Sequence, residues 1–288
     1  MGWTNYHGHC EYCDGKGAIE DYILKAIELK METIGISSHA PVPFPTDWTM
    51  PAYRLDDYLN EIRLLKEKYE DKIDVYCALE VDYIPDLISP IHGKILSAGL
   101  DYTIGSVHFV GQFNSGLHWP IDSSADEFKN GLDEIFNGDI KRVAIRYYEI
   151  QREMIRGGGL TIIGHMDKIK MHNKTFNLFD ESEQWYIDEV HKTLELIKEK
   201  GVIVEVNTKA YYRDGHLFPG PEHFAKINEL DIPITINSDA HHPDKLLNGF
   251  EEVADMLLMA GFTHLVELID GKWTKVEFSK EGIAVQVK

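Results

Sequence analysis

Apolar runs of strand length alternate with amphipathic helical stretches along nearly all of the 288 residues. Seven such units follow one another, and their strands are apolar almost throughout. Strands buried on both faces are typical of parallel sheets covered by helices, so the pattern predicts an α/β fold. The predicted strands span residues 5–9, 33–39, 74–81, 101–108, 160–165, 202–206 and 232–238.

The segments between the strands are predicted from periodicity and from helix-breaking residues. An amphipathic helix is predicted from Leu87 to Ala98, and a polar loop from Gly111 to Ser123. Asp180 and Glu183 resemble a capping box at the start of a further helix. Four prolines within residues 41–51 indicate an irregular loop that forms a lid or a rim.

The charge balance limits what the protein can bind. The chain has 48 acidic and 29 basic residues, which gives a formal net charge of −19. Such a surface repels phosphate backbones and anionic lipids, so neither nucleic acid nor a membrane is an expected partner. A small substrate with a cationic part is compatible with this charge, but a phosphate group would need a local concentration of positive charge.

The sequence shows no targeting or membrane-spanning segment. The first residues lack a basic stretch followed by an apolar one, and no apolar run approaches the ~18 residues that a membrane span needs. The three cysteines are a low and odd number, which is typical of a reducing compartment. We therefore expect a cytoplasmic protein. Residues 1–288 contain no linker or low-complexity tract and are expected to form one domain.

Residues that suit metal binding follow the predicted strands. His7 and His9 are two positions apart, and strand geometry directs both side chains to one face. Asp239 and His241 repeat this spacing after the last strand. In a closed barrel all strand ends meet at one mouth, whereas an open sheet binds ligands at the ends of only a few strands. Because the candidates follow every predicted strand except the sixth, a closed barrel is favoured. The candidates are His7, His9, Asp14, His39, Glu80, His108, His165, Asp239 and His241.

These six histidines and three carboxylates are ligand types that zinc, iron and manganese share. Nine ligands are too many for one ion and suit two or three divalent ions. Any one of the histidines alone could be structural. Their recurrence at successive strand ends favours a metal centre.

The order and spacing of these residues resemble the PHP (polymerase and histidinol phosphatase) superfamily over nearly the whole chain. The sequences around His108, His165, Asn207 and Asp239 are similar to the histidinol-phosphate phosphatase branch. The resemblance implies a distorted (β/α)7 barrel with a trinuclear metal centre at the C-terminal mouth of the strands.

The resemblance also implies the division of ligands and the reaction. Three divalent ions against three carboxylates would leave about three positive charges for a phosphate dianion and a hydroxide. The implied reaction is hydrolysis of a phosphate monoester, L-histidinol phosphate above all, in histidine biosynthesis. The resemblance implies three ligand groups, one for each ion. The first is His7, His9, Glu80 and Asp239. The second is Glu80, His108 and His165, with Glu80 bridging, and the third is Asp14, His39 and His241.

Four residues are candidates for roles in catalysis or substrate binding. Asp239 and His242 are the catalytic candidates, with His242 considered as the proton donor to the leaving group. Lys170 lies five residues after His165, where the resemblance implies a basic residue. Arg213 follows the sixth strand in a loop near the mouth. Lys170 and Arg213 are therefore the candidates for holding phosphate.

The remaining cysteines and histidines are interpreted as structural. Cys10 and Cys13 depart from the family pattern, and one C-x-x-C has no partner pair for a zinc site, so both are interpreted as small loop residues. Cys77 lies an odd number of positions before Glu80 and is expected to face the helices. A structural or surface role is expected for His92, His118, His172, His191, His216, His223 and His264.

Other functions fit part of the pattern. A metal-dependent C–N hydrolase would also begin with His-x-His and end with Asp, but it expects a bridging lysine where this chain has Glu80. A phosphatase of another small phosphoester, or a nuclease of the same superfamily, would share the ligands, although the net charge of −19 disfavours a nuclease. A non-catalytic metal-binding protein is the third alternative. The oligomeric state is left open.

Overall fold

The computed structural model describes residues 2–284 and contains short strands in three sheets. Most strands coincide with the apolar runs of the sequence, although several are shorter than predicted. The strands are β1 (Thr4–Asn5), β2 (Thr33–Ile36), β3 (Asp74–Asp82), β4 (Tyr102–Ser106), β5 (Phe109–Gln112), β6 (His118–Pro120), β7 (Ile162–Ile163), β8 (Ile203–Asn207), β9 (Ile234–Asn237), β10 (His264–Ile269), β11 (Lys272–Ser279) and β12 (Gly282–Ile283).

Helices connect the parallel strands, and the longer ones show the apolar stripe that packs against a sheet. Short 3-10 helices occur at 52–54, 168–170, 221–223 and 243–245. The α-helices are α1 (Ile19–Glu28), α2 (Leu55–Tyr69), α3 (Gly93–Leu96), α4 (Ala125–Phe136), α5 (Ile140–Gly157), α6 (Asn173–Phe176), α7 (Gln184–Lys200), α8 (Tyr211–Asp214), α9 (Phe224–Glu229) and α10 (Phe250–Met259).

The main sheet has seven parallel strands in the order β1-β2-β3-β4-β7-β8-β9. Its two edge strands approach each other, and a parallel bridge joins Gly8 to Ala240 just beyond them. The His9 amide donates to the Ala240 carbonyl at 2.8 Å, and the Tyr6 amide donates to Asn237 Oδ1 at 2.8 Å. These contacts make a nearly closed barrel, so the predicted distorted (β/α)7 barrel is confirmed.

Three local predictions are wrong. Only Gly93–Leu96 is helical within the stretch predicted as a helix from 87 to 98, because Ile84 and Ile88 form a bridge and Pro90 restricts the residue before it. The segment 111–123 contains most of the β5–β6 hairpin. Asp180 accepts from the Ser182 amide at 2.8 Å, and the helix begins later, at Gln184.

The lower part of the barrel interior is filled with side chains. Inward positions recur with a period of two along β3, where Tyr76 and Ala78 precede Glu80. Tyr6 and Tyr102 pack beside them with their rings edge to face, 5.6 Å apart. The C-terminal strands β10 and β11 contribute further apolar side chains to this cluster. The interior is therefore packed below Glu80, on the side away from the C-terminal mouth.

Two larger apolar clusters lie between the sheet and the helices. Cys77 packs in the outer cluster, on the face of β3 opposite Glu80, as predicted. The proline-rich segment 41–51 is irregular, as predicted, and lies at the barrel mouth. None of the helices within residues 2–284 combines the length and apolar character that a bilayer crossing demands.

Candidate metal centre

The barrel brings all nine predicted ligands to its C-terminal mouth, around the carboxylate of Glu80. Each Glu80 oxygen faces a different set of histidines. Oε1 lies 2.9 Å from His165 Nε2 and 3.7 Å from His108 Nε2. Oε2 lies 2.9 Å from His39 Nδ1, 3.2 Å from His7 Nε2 and 3.5 Å from His9 Nε2. The Glu80 carboxylate therefore lies between two sets of imidazoles.

The N-terminal histidine pair meets Asp239 on one side of Glu80. His9 Nε2 lies 3.1 Å from Asp239 Oδ1, and His7 Nε2 lies 3.8 Å from the same oxygen. His7, His9 and Asp239 are all buried, and they offer ligand atoms within 4.8 Å of one another. The first and last barrel strands therefore supply one potential metal site jointly.

A second group lies nearer the surface. Asp14 Oδ2 lies 3.3 Å from His241 Nε2, and Asp14 Oδ1 lies 3.8 Å from His39 Nε2. His9 completes the group, whose ligand atoms also fall within 4.8 Å of one another. A third group consists of His39, Glu80 and His108, with His165 Nε2 only 3.2 Å from His108 Nε2.

Four of these atoms are buried and, despite the short contacts between them and their neighbours, make no hydrogen bond of acceptable geometry to the residues that the structure describes. They are His7 Nε2, His9 Nε2, His39 Nδ1 and Glu80 Oε2. Buried polar atoms are normally satisfied, since leaving one unpaired costs about 1–3 kcal/mol. Their convergence on one region, together with the mixture of imidazole and carboxylate, fits divalent ions such as zinc, iron or manganese.

Carboxylates behind the histidines fix the orientation of the imidazole rings. His7 Nδ1 donates to Glu205 Oε1 at 2.6 Å, and His108 Nδ1 donates to Asp82 Oδ1 at 2.9 Å. With Nδ1 occupied in this way, Nε2 is the ring nitrogen that faces the cluster. Glu205 also accepts from the His165 amide at 3.0 Å.

Sequence reasoning missed this outer layer. It assigned no site residue to the sixth barrel strand, whereas β8 supplies Glu205 and also Asn207, which donates to Asp239 Oδ2 at 3.1 Å. A glutamate inside the apolar run Ile203–Asn207 was the signal that could have revealed Glu205. Asp82 follows Glu80 by two positions on the same face of β3, which was the corresponding signal.

The cluster perturbs the ionisation of its members. Burial alone would lower the pKa of His7, but Glu205, Asp239 and Glu80 raise it well above its usual value. Burial likewise lowers the pKa of His108, but Asp82 and Asp122 raise it to about 9. Burial would raise the pKa of Glu80, yet the surrounding imidazoles hold it well below its usual value. The carboxylate is therefore ionised and available as a ligand at neutral pH.

Two of the candidate ligands have unusual backbone conformations. The φ angle is 48° at Asp239 and 21° at His165, both in the region that residues with a Cβ rarely adopt. Strain of this kind concentrates at functional sites, where the surrounding structure maintains it.

A two-lobed cavity opens over the cluster. One lobe of about 300 Å³ is lined by His165, Lys168, Lys209, Arg213 and Asp239, among others. A second lobe of about 630 Å³ shares Lys168, Lys209 and Asp239. Sequence reasoning missed both lysines, because only the loops after β7 and β8 bring them to the mouth.

Of the four catalytic and phosphate-binding candidates, Asp239 and Arg213 line the cavity and the other two lie elsewhere. Lys170 is buried in an ion pair network, 2.8 Å from Asp167 Oδ2 and 2.7 Å from Glu222 Oε1. His242 is exposed and accepts from the Asp244 amide at 3.2 Å. Neither residue lines either lobe within the described chain. The structure thus does not bring Lys170 or His242 to the cluster.

The cysteine pair and two histidines have contacts that the sequence did not indicate. Cys13 Sγ lies 3.5 Å from His9 Nδ1, and Cys10 Sγ lies 3.2 Å from Ser38 Oγ, so both pack directly behind the cluster. His118 and His172 line the two lobes, one each. Sequence reasoning assigned these histidines a structural or surface role and did not indicate their place in the cavity wall.

Comparison with known proteins agrees with this geometry. Residues 5–209 match the family described as PHP domain, which is well over half of the chain. The chain belongs to the PHP domain family. The resemblance that the ligand order implied is thereby confirmed.

Relatives of this PHP domain cover nearly the whole chain. A protein of Schizosaccharomyces pombe named probable histidinol-phosphatase is 25% identical, over 92% of this chain and 89% of that protein. The crystal structure of HisK from Listeria monocytogenes superposes with a TM-score of 0.74 at 22% identity, over 86% of this chain and 99% of the other. Histidinol phosphate phosphatase from Lactococcus lactis, in complex with zinc, L-histidinol and phosphate, gives a TM-score of 0.69 at 19% identity, over 98% of this chain and 99% of the other. The structural matches support the barrel fold.

Proposed function

We propose that this protein is a metal-dependent phosphomonoesterase that converts L-histidinol phosphate to L-histidinol and phosphate in histidine biosynthesis. The convergence of nine candidate ligand side chains, with Glu80 among them, carries the proposal. Membership of the PHP domain family and the names of the relatives support the choice of reaction and substrate. The proposed partner is accordingly a small phosphorylated molecule.

The proposed ion-binding groups are those that the family resemblance implies, and each shares at least two residues with one of the three clusters of the structure. Bound divalent ions would lower the pKa of a coordinated water and neutralise charge on the phosphoryl oxygens. Glu205 and Asp82 would hold His7 and His108 in the tautomer whose Nε2 faces the ions. The proposed groups are His7, His9, Glu80 and Asp239; Glu80, His108 and His165; and Asp14, His39 and His241.

The larger lobe of the cavity has the chemistry to accept the organic part of this substrate. Aromatic rings form its wall, with Phe44 stacked on His118 at 4.3 Å and Trp48 stacked on Phe109 at 5.6 Å. An imidazole ring can stack against such a wall. Asp47 and other acidic residues on the same lobe suit the ammonium group of L-histidinol phosphate. Arg213, at the rim of the smaller lobe, is a candidate for an outer contact to the substrate.

A substrate panel tests the proposal. Phosphate release from L-histidinol phosphate should exceed release from nucleotides and sugar phosphates, while amide and other C–N substrates should not be cleaved. Preference for another phosphoester would support the same chemistry with a different substrate, and C–N cleavage would support the rival hydrolase. Asp239→Asn, our test of Asp239 as a catalytic residue and ligand, should abolish phosphate release while metal persists at the other sites.

We also propose a cytoplasmic location. All three cysteines, which lie within the described residues, are free thiols. Free thiols, one of them 3.5 Å from the candidate ligand His9, suit a reducing compartment.

A further inference from the structure

Two lysines flank the metal-binding cluster from neighbouring strand ends. Lys168 begins the short 3-10 helix after β7, and Lys209 lies two residues beyond the end of β8. Because β7 and β8 are paired, the segments that carry the two lysines leave the barrel from adjacent strands. Both line the smaller and the larger lobe of the cavity, at the place where the lobes meet over the cluster.

Lys209 contacts two candidate metal ligands directly. Its Nζ lies 3.2 Å from Asp239 Oδ1 and 3.2 Å from His241 Nε2. An ammonium group has three N–H donors, so Lys209 can keep a contact to Asp239 and still donate to a ligand in the cavity. Its side chain is partly exposed, in keeping with a group that faces the cavity.

Lys168 is more deeply placed and is held by Asp122. The Lys168 Nζ lies 2.9 Å from Asp122 Oδ2, and that oxygen lies 3.9 Å from His108 Nε2. The lysine side chain is 9% exposed. A buried ammonium with one ionic partner retains donors for an anion that reaches the cluster.

The charge balance around the cluster indicates why two ammonium groups lie beside it. Three carboxylates are candidate ligands, and Asp82, Glu205 and Asp122 stand directly behind or beside them. Three divalent ions would only balance these six carboxylates, and two ions would leave an excess of negative charge. A phosphate dianion and a hydroxide would make the imbalance larger. The ammonium groups of Lys168 and Lys209 are the fixed positive charges that line both lobes at this point.

We propose that Lys168 and Lys209 form a phosphate clamp, in which each ammonium donates to a phosphoryl oxygen that the metal ions leave free. The inference rests on the proposed phosphomonoesterase function and assigns the phosphate contacts within that site. Hydrogen bonds from ammonium to phosphate are charge-assisted and stronger than neutral ones. Lys170 cannot serve in this way, because Asp167 and Glu222 already engage its ammonium away from the cavity.

The clamp can be tested with inorganic phosphate, so that no ester substrate is needed. The protein is loaded with zinc and freed of excess zinc, and titration calorimetry then measures its affinity for phosphate. Lys209→Met should weaken phosphate binding about ten- to a hundredfold, the range for one charged hydrogen bond. Lys209→Arg should restore much of the affinity. The double variant Lys168→Met/Asp122→Asn should weaken binding to a similar degree without leaving Asp122 unpaired. Lys226→Met, at a partly exposed lysine that pairs with Glu229 and lines neither lobe, is the matched control and should bind like the wild type.

Elemental analysis and thermal unfolding of each variant accompany the titration. Weaker phosphate binding at unchanged zinc content and unchanged melting temperature supports the clamp. Unchanged phosphate affinity in both lysine variants overturns it. A loss of zinc in parallel with a loss of affinity also overturns it, because Lys209 would then act through Asp239 and His241. If wild-type protein binds phosphate but releases none from L-histidinol phosphate, the proposed substrate fails while the clamp stands.

Discussion

His7 Nδ1 lies 2.6 Å from Glu205 Oε1, although 198 positions separate the two residues in the chain. Both side chains are fully buried, and Asn237 Nδ2 donates to the same Glu205 oxygen at 3.0 Å. The contact joins the first, sixth and seventh barrel strands behind the cluster. It shows that the histidines are held in place by a layer of carboxylates that does not itself face the cavity.

Glu205→Gln should weaken metal binding while preserving the fold. The substitution removes the negative charge that makes His7 a better ligand, and loss of such outer carboxylates typically reduces metal affinity about ten- to a hundredfold. Competition with a chromophoric chelator measures the affinity. Glu195→Gln, at an exposed helical position, is the control. Equal affinities in Glu205→Gln and the control would show that this carboxylate does not tune the ligands.

Glu80→Gln should remove more than one ion per chain. Glu80 is the residue whose two oxygens face different sets of histidines, and a neutral amide cannot replace a bridging carboxylate. Elemental analysis after dialysis measures the stoichiometry against wild type. Retention of the wild-type metal content would mean that Glu80 does not connect the three groups.

Titration of the buried Glu267 carboxyl should lower the free energy of unfolding as the pH rises. Burial raises the pKa of this carboxyl from 4.5 to about 7, although the Tyr6 hydroxyl donates to it at 2.8 Å. The folded protein therefore keeps a proton that the unfolded chain releases between these values. This contribution is fully present below pH 4.5 and is lost as the pH rises through about 7, a change of about 3 kcal/mol.

Urea unfolding of wild type and Glu267→Gln at pH 5 and pH 8 measures this effect, with both proteins in the same metal state. The neutral glutamine should gain stability relative to wild type as the pH rises. Other titrating groups cancel in the comparison. A difference between the two proteins that is the same at both pH values would show that Glu267 does not titrate in this range.

The barrel and its nine candidate ligands could be predicted because both depend on local patterns. Apolar runs identify parallel strands, and a polar residue at the end of such a run must lie at the mouth, as for His108 and His165. The β5–β6 hairpin was missed because its short strands carry no long apolar run, although Trp119 on β6 is fully buried.

The contacts that complete the site depend on pairings distant in sequence. Lys170 and Lys168 are neighbours on one short helix, yet Glu222 holds the first away from the cavity and Asp122 holds the second at its edge. No spacing in the sequence distinguishes them. Lys209 depends likewise on the conformation of the loop after β8. Sequence thus indicated the candidate ligands, whereas the lysines that line the cavity required the folded structure.

Anomalous diffraction from crystals of zinc-loaded protein, collected at the zinc absorption edge, tests the central claim most directly. We expect two or three peaks clustered around Glu80, in contact with the His7–His9 pair, with Asp239 and with His108. Peaks elsewhere on the protein, or none between the N-terminal histidine pair and Asp239, would contradict the proposed metal centre and the phosphoester chemistry that depends on it.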